Sequence, residues 1–519
     1  MRGLCRFFFS RYFISASLIL IELLLVSYLV FAAYEYSLIM FAIVVFLNAF
    51  AIVSLINRNA NPEYKVSWLV VIMLLPPIGV AIYAILYSRR LSKKEIRLMM
   101  KIKDNLDAFS YTGESFAGEN DLEFSKLSEE SGQARGKASA ILNDDKIANI
   151  YLQSSSRFFA SGEEMFESII RDISAARKYI FLEYFIIEDG VMWDKIHSLL
   201  KEKVRCGVEV RLMYDDVGCM KTLPSHYDRR LSKEGILCKR FSPVTPHVST
   251  LRGNRDHRKI IVIDGRIAYT GGVNIADEYI NEKTRFGHWK DGGIRIEGDA
   301  AEGFLRLFIL SWDFTANSLT DLKRYLPSEN DTRESDGGYY IPFGSGPAPI
   351  YERPVGKNVL LNIINQAESY VYITTPYLVI DYDLTESLRN AALRGVDVRI
   401  ITPGIADKKI VKVMTKSAYP YLMNAGVRIY EYSPGFIHEK TVVSDDSYAV
   451  IGTINLDYRS FVHHYEDAVW IYGSPVVLNI RDEFLRTVSV SNQKDAREAK
   501  LSPLEWVVRN LVRIFAPLL

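Results

Sequence analysis

Cysteine is scarce. Cys5, Cys206, Cys219 and Cys238 are the four in 519 residues, and neither their number nor their spacing makes a disulfide framework or a zinc site, so they read as packing residues. An excess of charge of one sign is missing as well. With 63 basic against 62 acidic residues the chain is not a globally basic nucleic-acid binder, and local chemistry has to identify the partner. Beyond about residue 90, long apolar runs are missing too. The hydrophobic fraction of 49% is ordinary for a globular protein, but it is concentrated toward the first ninety residues, so that end belongs to a membrane.

Three apolar stretches stand there, Tyr12 to Ala33, Leu38 to Ile56 and Val66 to Tyr87. Each is long enough for a helix of roughly 20 residues to cross the hydrocarbon layer. Glu22 in the first is expensive in lipid and favours an interfacial or helix-facing position. A cleaved signal peptide is the rival for that stretch, but the run exceeds an ordinary h-region and no small-x-small site follows it. Arg2, Arg6 and Arg11, then Arg58 and Lys65, then Arg89, Arg90, Lys93 and Lys94 flank the stretches. Three full crossings would place one of these clusters on the wrong side, so one stretch lies in the interface or re-enters, or the positive-inside rule is broken. The densest cluster places the soluble part on the cytoplasmic face of the cell membrane. Pro76-Pro77 and Gly79 break or kink the third helix.

Five regions follow: 1–90 as the membrane region, 91–145 as a helical stalk running into a linker, 146–335 and 336–495 as two similar halves, and 496–519 as a C-terminal amphipathic helix. The halves can be laid over one another. Ala176-Arg-Lys-Tyr-Ile-Phe-Leu-Glu-Tyr matches Ala367-Glu-Ser-Tyr-Val-Tyr-Ile-Thr-Thr, and Gly207-Val-Glu-Val-Arg-Leu-Met matches Gly395-Val-Asp-Val-Arg-Ile-Ile. Helical patterns alternating with apolar strands predict α/β layers with a largely parallel sheet. The repeat is too long for a solenoid, so it predicts a duplicated domain whose copies face each other across a pseudo-twofold axis.

Each half carries one constellation: His257, Lys259, Asp264, Gly271 and Asn274, and His438, Lys440, Asp445, Gly452 and Asn455. The spacing from the histidine is 2, 7, 14 and 17 residues in both. Residues two apart on a strand share a face, so each His and Lys point the same way. Asp264 and Asp445 fall at hairpin turns, where backbone hydrogen bonds are the more natural employment for their carboxylates. Gly271-Gly272 and Gly452-Thr453 would let amides approach an anion, and Asn274 and Asn455 would donate to phosphate oxygens. Two Lys, two Asn and two His then surround one phosphodiester, and their positive charge does what a metal does elsewhere. No metal ligand set is found in the sequence and no cofactor is expected. One imidazole can attack phosphorus while the other moves the proton. Each needs an acceptor for its second nitrogen: Glu466, 28 residues after His438, is the candidate in the second half, and Asp291 takes that position in the first.

These residues resemble the phospholipase D superfamily, whose members have two H-x-K-x4-D motifs meeting at one site, and within it bacterial cardiolipin synthases. Gly271-Gly-Val-Asn-Ile-Ala-Asp-Glu-Tyr, Phe286-Gly-His-Trp-Lys-Asp, Gly452-Thr-Ile-Asn-Leu-Asp-Tyr-Arg-Ser-Phe, and Trp68 with Leu74-Leu-Pro-Pro-Ile-Gly79 carry the resemblance. It implies phosphatidyl transfer between two phosphatidylglycerol molecules, giving cardiolipin and glycerol, with His257 as nucleophile and His438 as acid/base. Catalytic roles for Lys259, Asp264, Lys440 and Asp445 come from the same resemblance. Gly272 departs from it, replacing the hydroxyl residue usual there, as do Gly292-Gly293 after Asp291. Tethering beside a bilayer independently favours a lipid phosphodiester as partner. Trp506 to Leu519, with Val507, Val508, Leu511, Ile514 and Phe515 on one side, resembles an interfacial helix, with core packing as its alternative. The same residues could serve a lipid hydrolase or, with Arg252, Arg255 and Arg258 lining a groove, a nuclease. A non-catalytic membrane scaffold is the third reading, opposed by intact motifs in both halves.

Overall fold

The computed structural model describes Leu24, Ser27, Tyr28 and residues 38–58, 61–86, 93–111, 116–243, 254–327, 334–348, 350–495 and 503–518. The first apolar stretch, with Glu22, lies almost wholly outside the described residues, as do Arg89, Arg90 and Arg252. The chain forms two compact units. One comprises residues 1–91, 243–253 and 510–519, the other 92–242 and 254–509.

In the smaller unit the second apolar stretch is the helix Leu38–Ile56, and the third is divided into Pro62–Leu74 and Ile78–Leu86. The division falls at Pro76-Pro77, because proline offers no N–H to continue the ladder. Asn61 opens Pro62–Leu74 by accepting the Glu63 N–H at 2.9 Å, with Pro62 in the first turn. Ala51, Leu55, Trp68, Ile72 and Tyr83 form a small core. Phe41, Phe46, Phe50 and Val53 on the first helix, and Met73 and Leu74 on the second, remain exposed. Among the described residues no helix is long and apolar enough to cross a membrane. The C-terminal helix is Pro503–Phe515, with Val507 and Leu511 exposed.

The larger unit holds both repeats. The first contributes β1 (Ser154–Phe159), β2 (Tyr179–Tyr184), β3 (Glu209–Asp215), β4 (Leu237–Phe241), β5 (Arg255–Asp256), β6 (Lys259–Ile263), β7 (Ile267–Gly271), β8 (His288–Lys290) and β9 (Gly293–Gly298). The second contributes β10 (Tyr339–Ser345), β11 (Tyr370–Thr374), β12 (Leu378–Val379), β13 (Asp397–Pro403), β14 (Arg428–Tyr432), β15 (Gly435–Ile437), β16 (Thr441–Ser444), β17 (Tyr448–Gly452), β18 (Leu456–Asp457), β19 (His464–Tyr472) and β20 (Ser491–Gln493). The sheets run β1-β9-β7-β6-β2-β3-β4 and β10-β19-β17-β16-β11-β13-β14-β20, the same order twice with β20 added at one edge.

The expectation of a largely parallel sheet is corrected. Along these two strand orders only β2-β3-β4 and β11-β13-β14 pair in parallel, and the other neighbours are antiparallel; β5-β19, β8-β15 and β12-β18 are short parallel pairs off those paths. Helical crossovers make the parallel pairs, as with Val191–Arg205, which buries Met192, Trp193, Ile196 and Leu200 between β2 and β3. The motif-bearing segments return through tight turns, which can only join antiparallel strands. One hydrophobic core runs through both sheets, joining Phe181 and Val262 to Val442 and Trp470 by way of the nearly all-buried helix Ala301–Ala316.

Residues 91–145, expected as stalk and linker, are instead largely three helices, Lys93–Tyr111, Phe116–Glu130 and Gly132–Asp144. Met99, Ile102, Leu106, Leu127, Ala134, Ala138 and Ile141 join the same core. The Ser and Gly that suggested a linker are helix-start chemistry: Ser131 accepts the Ala134 N–H at 3.2 Å.

Candidate active site

Asp264 and Asp445 set the frame. Asp264 accepts the backbone N–H groups of Arg177, Lys178 and Tyr179 at 2.7, 2.7 and 2.8 Å. Asp445 accepts those of Glu368, Ser369 and Tyr370 at 3.0, 2.8 and 3.0 Å. Both sit in the left-handed region, at φ 52° and 54°. That conformation costs about 1–2 kcal/mol, less than three charge-assisted bonds of about 1.5–3 kcal/mol each return. These carboxylates tie the motif hairpin to the start of the central strand, at the end of β6 and β16 remote from each lysine.

The histidines lie between strands rather than within one, contrary to expectation. His257 and Arg258 separate β5 from β6, and His438 to Lys440 separate β15 from β16. The short strand before each histidine pairs in parallel with the other repeat. β5 runs beside β19, Arg255 opposite His464 and Asp256 opposite Tyr465. β15 runs beside β8, with Ile437 opposite Lys290. The pairing continues into the histidines, since His257 N–H donates to Tyr465 O at 2.8 Å and His438 N–H to Lys290 O at 2.7 Å.

One residue further on, each register delivers a carboxylate. Glu466 Oε2 lies 2.8 Å from His257 Nδ1, and Asp291 Oδ2 lies 2.7 Å from His438 Nδ1. The expected pairing of Glu466 with His438 and of Asp291 with His257 is therefore corrected: each imidazole is held by the carboxylate of the opposite repeat. The cause is the register between short strands, which links residues 209 and 147 positions apart.

All four groups are buried, along with Lys259 and Lys440. Lys259 Nζ donates to His257 O at 2.7 Å and Lys440 Nζ to His438 O. Burial pushes the His257 pKa well down, against the pull of Glu466 and with help from Lys259. Burial and then Lys440 push His438 down to about 4. Burial would raise both carboxylates, yet His438 and Lys440 hold Asp291 below its ordinary value, and His257 does the same for Glu466. Burial lowers Lys259 to about 8 and Lys440 to about 7, although Glu466 and Asp291 favour the charged form of both. Each lysine thus feels carboxylates from both repeats.

The phosphate-cradle expectation is met only in part. Gly272 N–H donates to Gly292 O at 3.0 Å and Thr453 N–H to Asp467 O at 2.8 Å, so these amides are committed to neighbouring backbone. Gly271 and Gly452 are needed for close strand approach: a Cβ would stand 2.5 Å from Gly292 O in one and 2.3 Å from Asp467 O in the other. Gly272 makes room for Asp291, whose Oδ1 a Cβ would meet at 1.9 Å. Asn274 accepts the Ile186 N–H at 3.0 Å and donates to Tyr279 Oη at 2.7 Å, orienting local structure. Asn455 differs, being buried with no hydrogen-bond partner described for Oδ1.

Sequence reasoning missed the partners around Glu466. Thr453 Oγ1 donates to Oε2, Ser460 Oγ donates to Oε1 at 2.8 Å, and His464 Nδ1 lies 3.4 Å from Oε1. The signal was available, since His464 precedes Glu466 by two residues on β19 and shares its face. His257, His464 and Glu466 also form one group with metal-ligand chemistry, their ligand atoms within 4.8 Å of one another, where the sequence pattern offered none. An ion there would compete with the His257–Glu466 hydrogen bond. Arg255 and Arg258 are buried against acidic groups, Arg258 3.0 Å from Asp256 and 3.1 Å from Glu183, so neither lines an exposed basic groove.

A family model described as "Cardiolipin synthase, PLD-like domain" matches residues 169–284 and 360–488, and one described as "Phospholipase_D-nuclease N-terminal" matches residues 46–86. An uncharacterised protein of Streptococcus mutans is 44% identical over 377 residues, 71% of this chain and 80% of that protein. A cardiolipin synthase of Geobacillus sp. is 34% identical over 485 residues, 93% of each chain. Among solved structures, the phosphatidylserine synthase of Haemophilus influenzae shares the fold, with a TM-score of 0.54 at 16% identity over 74% of this chain and 97% of that one. With a relative named as a cardiolipin synthase alignable over nearly its whole length, this chain belongs to the cardiolipin synthase family of the phospholipase D superfamily.

Proposed function

We propose that the protein is a phosphatidyltransferase that makes cardiolipin and glycerol from two molecules of phosphatidylglycerol. The observation that carries this reading is the reciprocal pair His257–Glu466 and His438–Asp291, buried with Lys259 and Lys440 in a member of that family. The His257 Nε2 lone pair attacks phosphorus, the bond from phosphorus to the glycerol oxygen breaks, and His438, protonated on both nitrogens once the anionic phosphodiester and Asp291 offset its charge, supplies the Nε2 proton that the departing oxygen takes up. The second phosphatidylglycerol then gives a hydroxyl proton to His438, its oxygen attacks phosphorus, and the bond to His257 breaks. Lys259 and Lys440 offset charge on the phosphoryl oxygens, with Asn455 as the remaining polar contact. Asp264 and Asp445 hold the motif hairpins in place. The exposed apolar side chains of Leu38–Ile56 and Pro62–Leu74 support membrane attachment, and the basic cluster Arg89, Arg90, Lys93 and Lys94 supports a cytoplasmic face for the chemistry.

Purified full-length protein in phosphatidylglycerol bilayers should release glycerol and cardiolipin in equal amounts, read by mass spectrometry. Phosphatidic acid as the main product would instead make the protein a phospholipase, and cleavage of an added oligonucleotide a nuclease.

The alkaline side of the rate profile follows from the lysines. The charged form is the useful one, and burial brings Lys440 to about 7 and Lys259 to about 8, so the neutral form gains as pH rises through that range. Since kcat/KM reports the free enzyme, it should fall between pH 7 and pH 9. A profile flat across that interval would refute the role given to the lysines.

A further inference from the structure

We infer that His464 is a positioning residue for the proposed nucleophile, acting on His257 through Glu466. The inference rests on the mechanism proposed above. His464 is 8% exposed, and its ring centroid lies 5.2 Å from that of His257, with Phe185 beside both rings. Arg459 Nε donates to His464 Nε2 at 3.2 Å. That bond leaves Nε2 as the acceptor and puts the proton of the neutral ring on Nδ1. Nδ1 stands 3.4 Å from Glu466 Oε1 and has no hydrogen-bond partner among the described residues.

An ionised carboxylate accepts about four hydrogen bonds. Three donors reach Glu466 already: His257 and Thr453 at Oε2, and Ser460 at Oε1. The His464 Nδ1–H is the fourth, one small shift from bonding distance. When Nε2 of His257 bonds to phosphorus, the ring becomes cationic while it keeps its Nδ1 proton. Every extra donor makes Glu466 a weaker base, so that proton stays on the imidazole and the charge pair persists through the step.

The other repeat lacks this device. Among the described residues Asp291 Oδ1 accepts only its own neighbour's amide, Gly292 N–H at 2.9 Å, and Gly272 stands where Thr453 supplies a hydroxyl. His438 is enclosed by the rings of Tyr279, Trp289 and Phe436, with no second imidazole against it among the described residues. The support is specific to the histidine that carries the covalent bond.

The test uses full-length protein in phosphatidylglycerol bilayers, comparing His464→Leu, which fills the space without a donor, with His464→Asn, whose amide N–H replaces Nδ1–H. His464→Leu should form the covalent enzyme adduct about 10–100-fold more slowly in single-turnover trapping, with KM little changed. His464→Asn should restore most of the rate. Arg459→Met, which unlocks the ring without touching the core, should fall in the same direction by a smaller factor, and it serves if His464→Leu does not fold. Adduct formation at the parental rate in His464→Leu and Arg459→Met overturns the inference, as does a His464→Asn protein no faster than His464→Leu. Adduct formation precedes the choice of acceptor, so this readout judges His464 even if the product is phosphatidic acid and the synthase reading fails.

Discussion

His257→Asn and His438→Asn are each expected to lower phosphatidyl transfer by at least about 10⁴-fold while leaving the melting temperature close to that of the parent protein. The asparagine amide can stand where Nδ1–H stood and keep donating to Glu466 or Asp291, both fully buried. What it cannot supply is Nε2, the atom proposed to attack phosphorus in one repeat and to carry the proton in the other. Alanine should abolish activity equally but also leave a buried carboxylate short of a donor, at a cost of about 1–3 kcal/mol, so its melting temperature should drop. The double variant should be no worse than either single one, because nucleophile and acid/base act as a unit. Product analysis on defined lipids, with thermal unfolding of the same preparations, checks both halves of the statement. Turnover within tenfold of the parent in either asparagine variant would remove that histidine from the mechanism.

The motif positions were legible because they are set by local chemistry. A His, a Lys and a turn Asp at fixed spacing hardly depend on what packs around them, and their repetition made coincidence untenable. The Asp264 turn shows the same thing: an αL position before a glycine can be read from two residues. Sheet direction was not so local. Alternating helices and strands suggested parallel pairing, but the Asp264 hairpin turns β7 back antiparallel to β6, and four of six neighbours in the first sheet are antiparallel. The segment 91–145 misled through composition, since Met99, Ile102 and Leu106 bury one face of a helix that is otherwise rich in Lys, Arg, Asp and Glu. Gly272 was readable only as a departure from the family pattern; the space it leaves for Asp291 needed the fold. The His464 contact was open to a period-two reading of β19, but nothing local marked that strand as lying beside His257.

The crossed carboxylates were the least legible feature, and they carry the second large effect. Glu466→Gln should lower the rate of adduct formation by about 10²–10⁴-fold, because an amide can no longer balance the cationic ring of His257 and favours the wrong tautomer. Asp291→Asn should cost a similar factor with phosphatidylglycerol, but for a different reason: His438 loses its hold while it protonates the departing glycerol oxygen. The two defects separate when the substrate is a phosphodiester with a p-nitrophenolate leaving group, which departs without a proton. Asp291→Asn should then form adduct at nearly the parental rate, whereas Glu466→Gln should remain slow, since attack by His257 is still required. Pairing within each repeat would reverse this result, with Asp291→Asn the variant that stays slow. The leaving-group dependence of two conservative substitutions therefore reads out, in solution, the strand register that places Glu466 beside His257 and Asp291 beside His438.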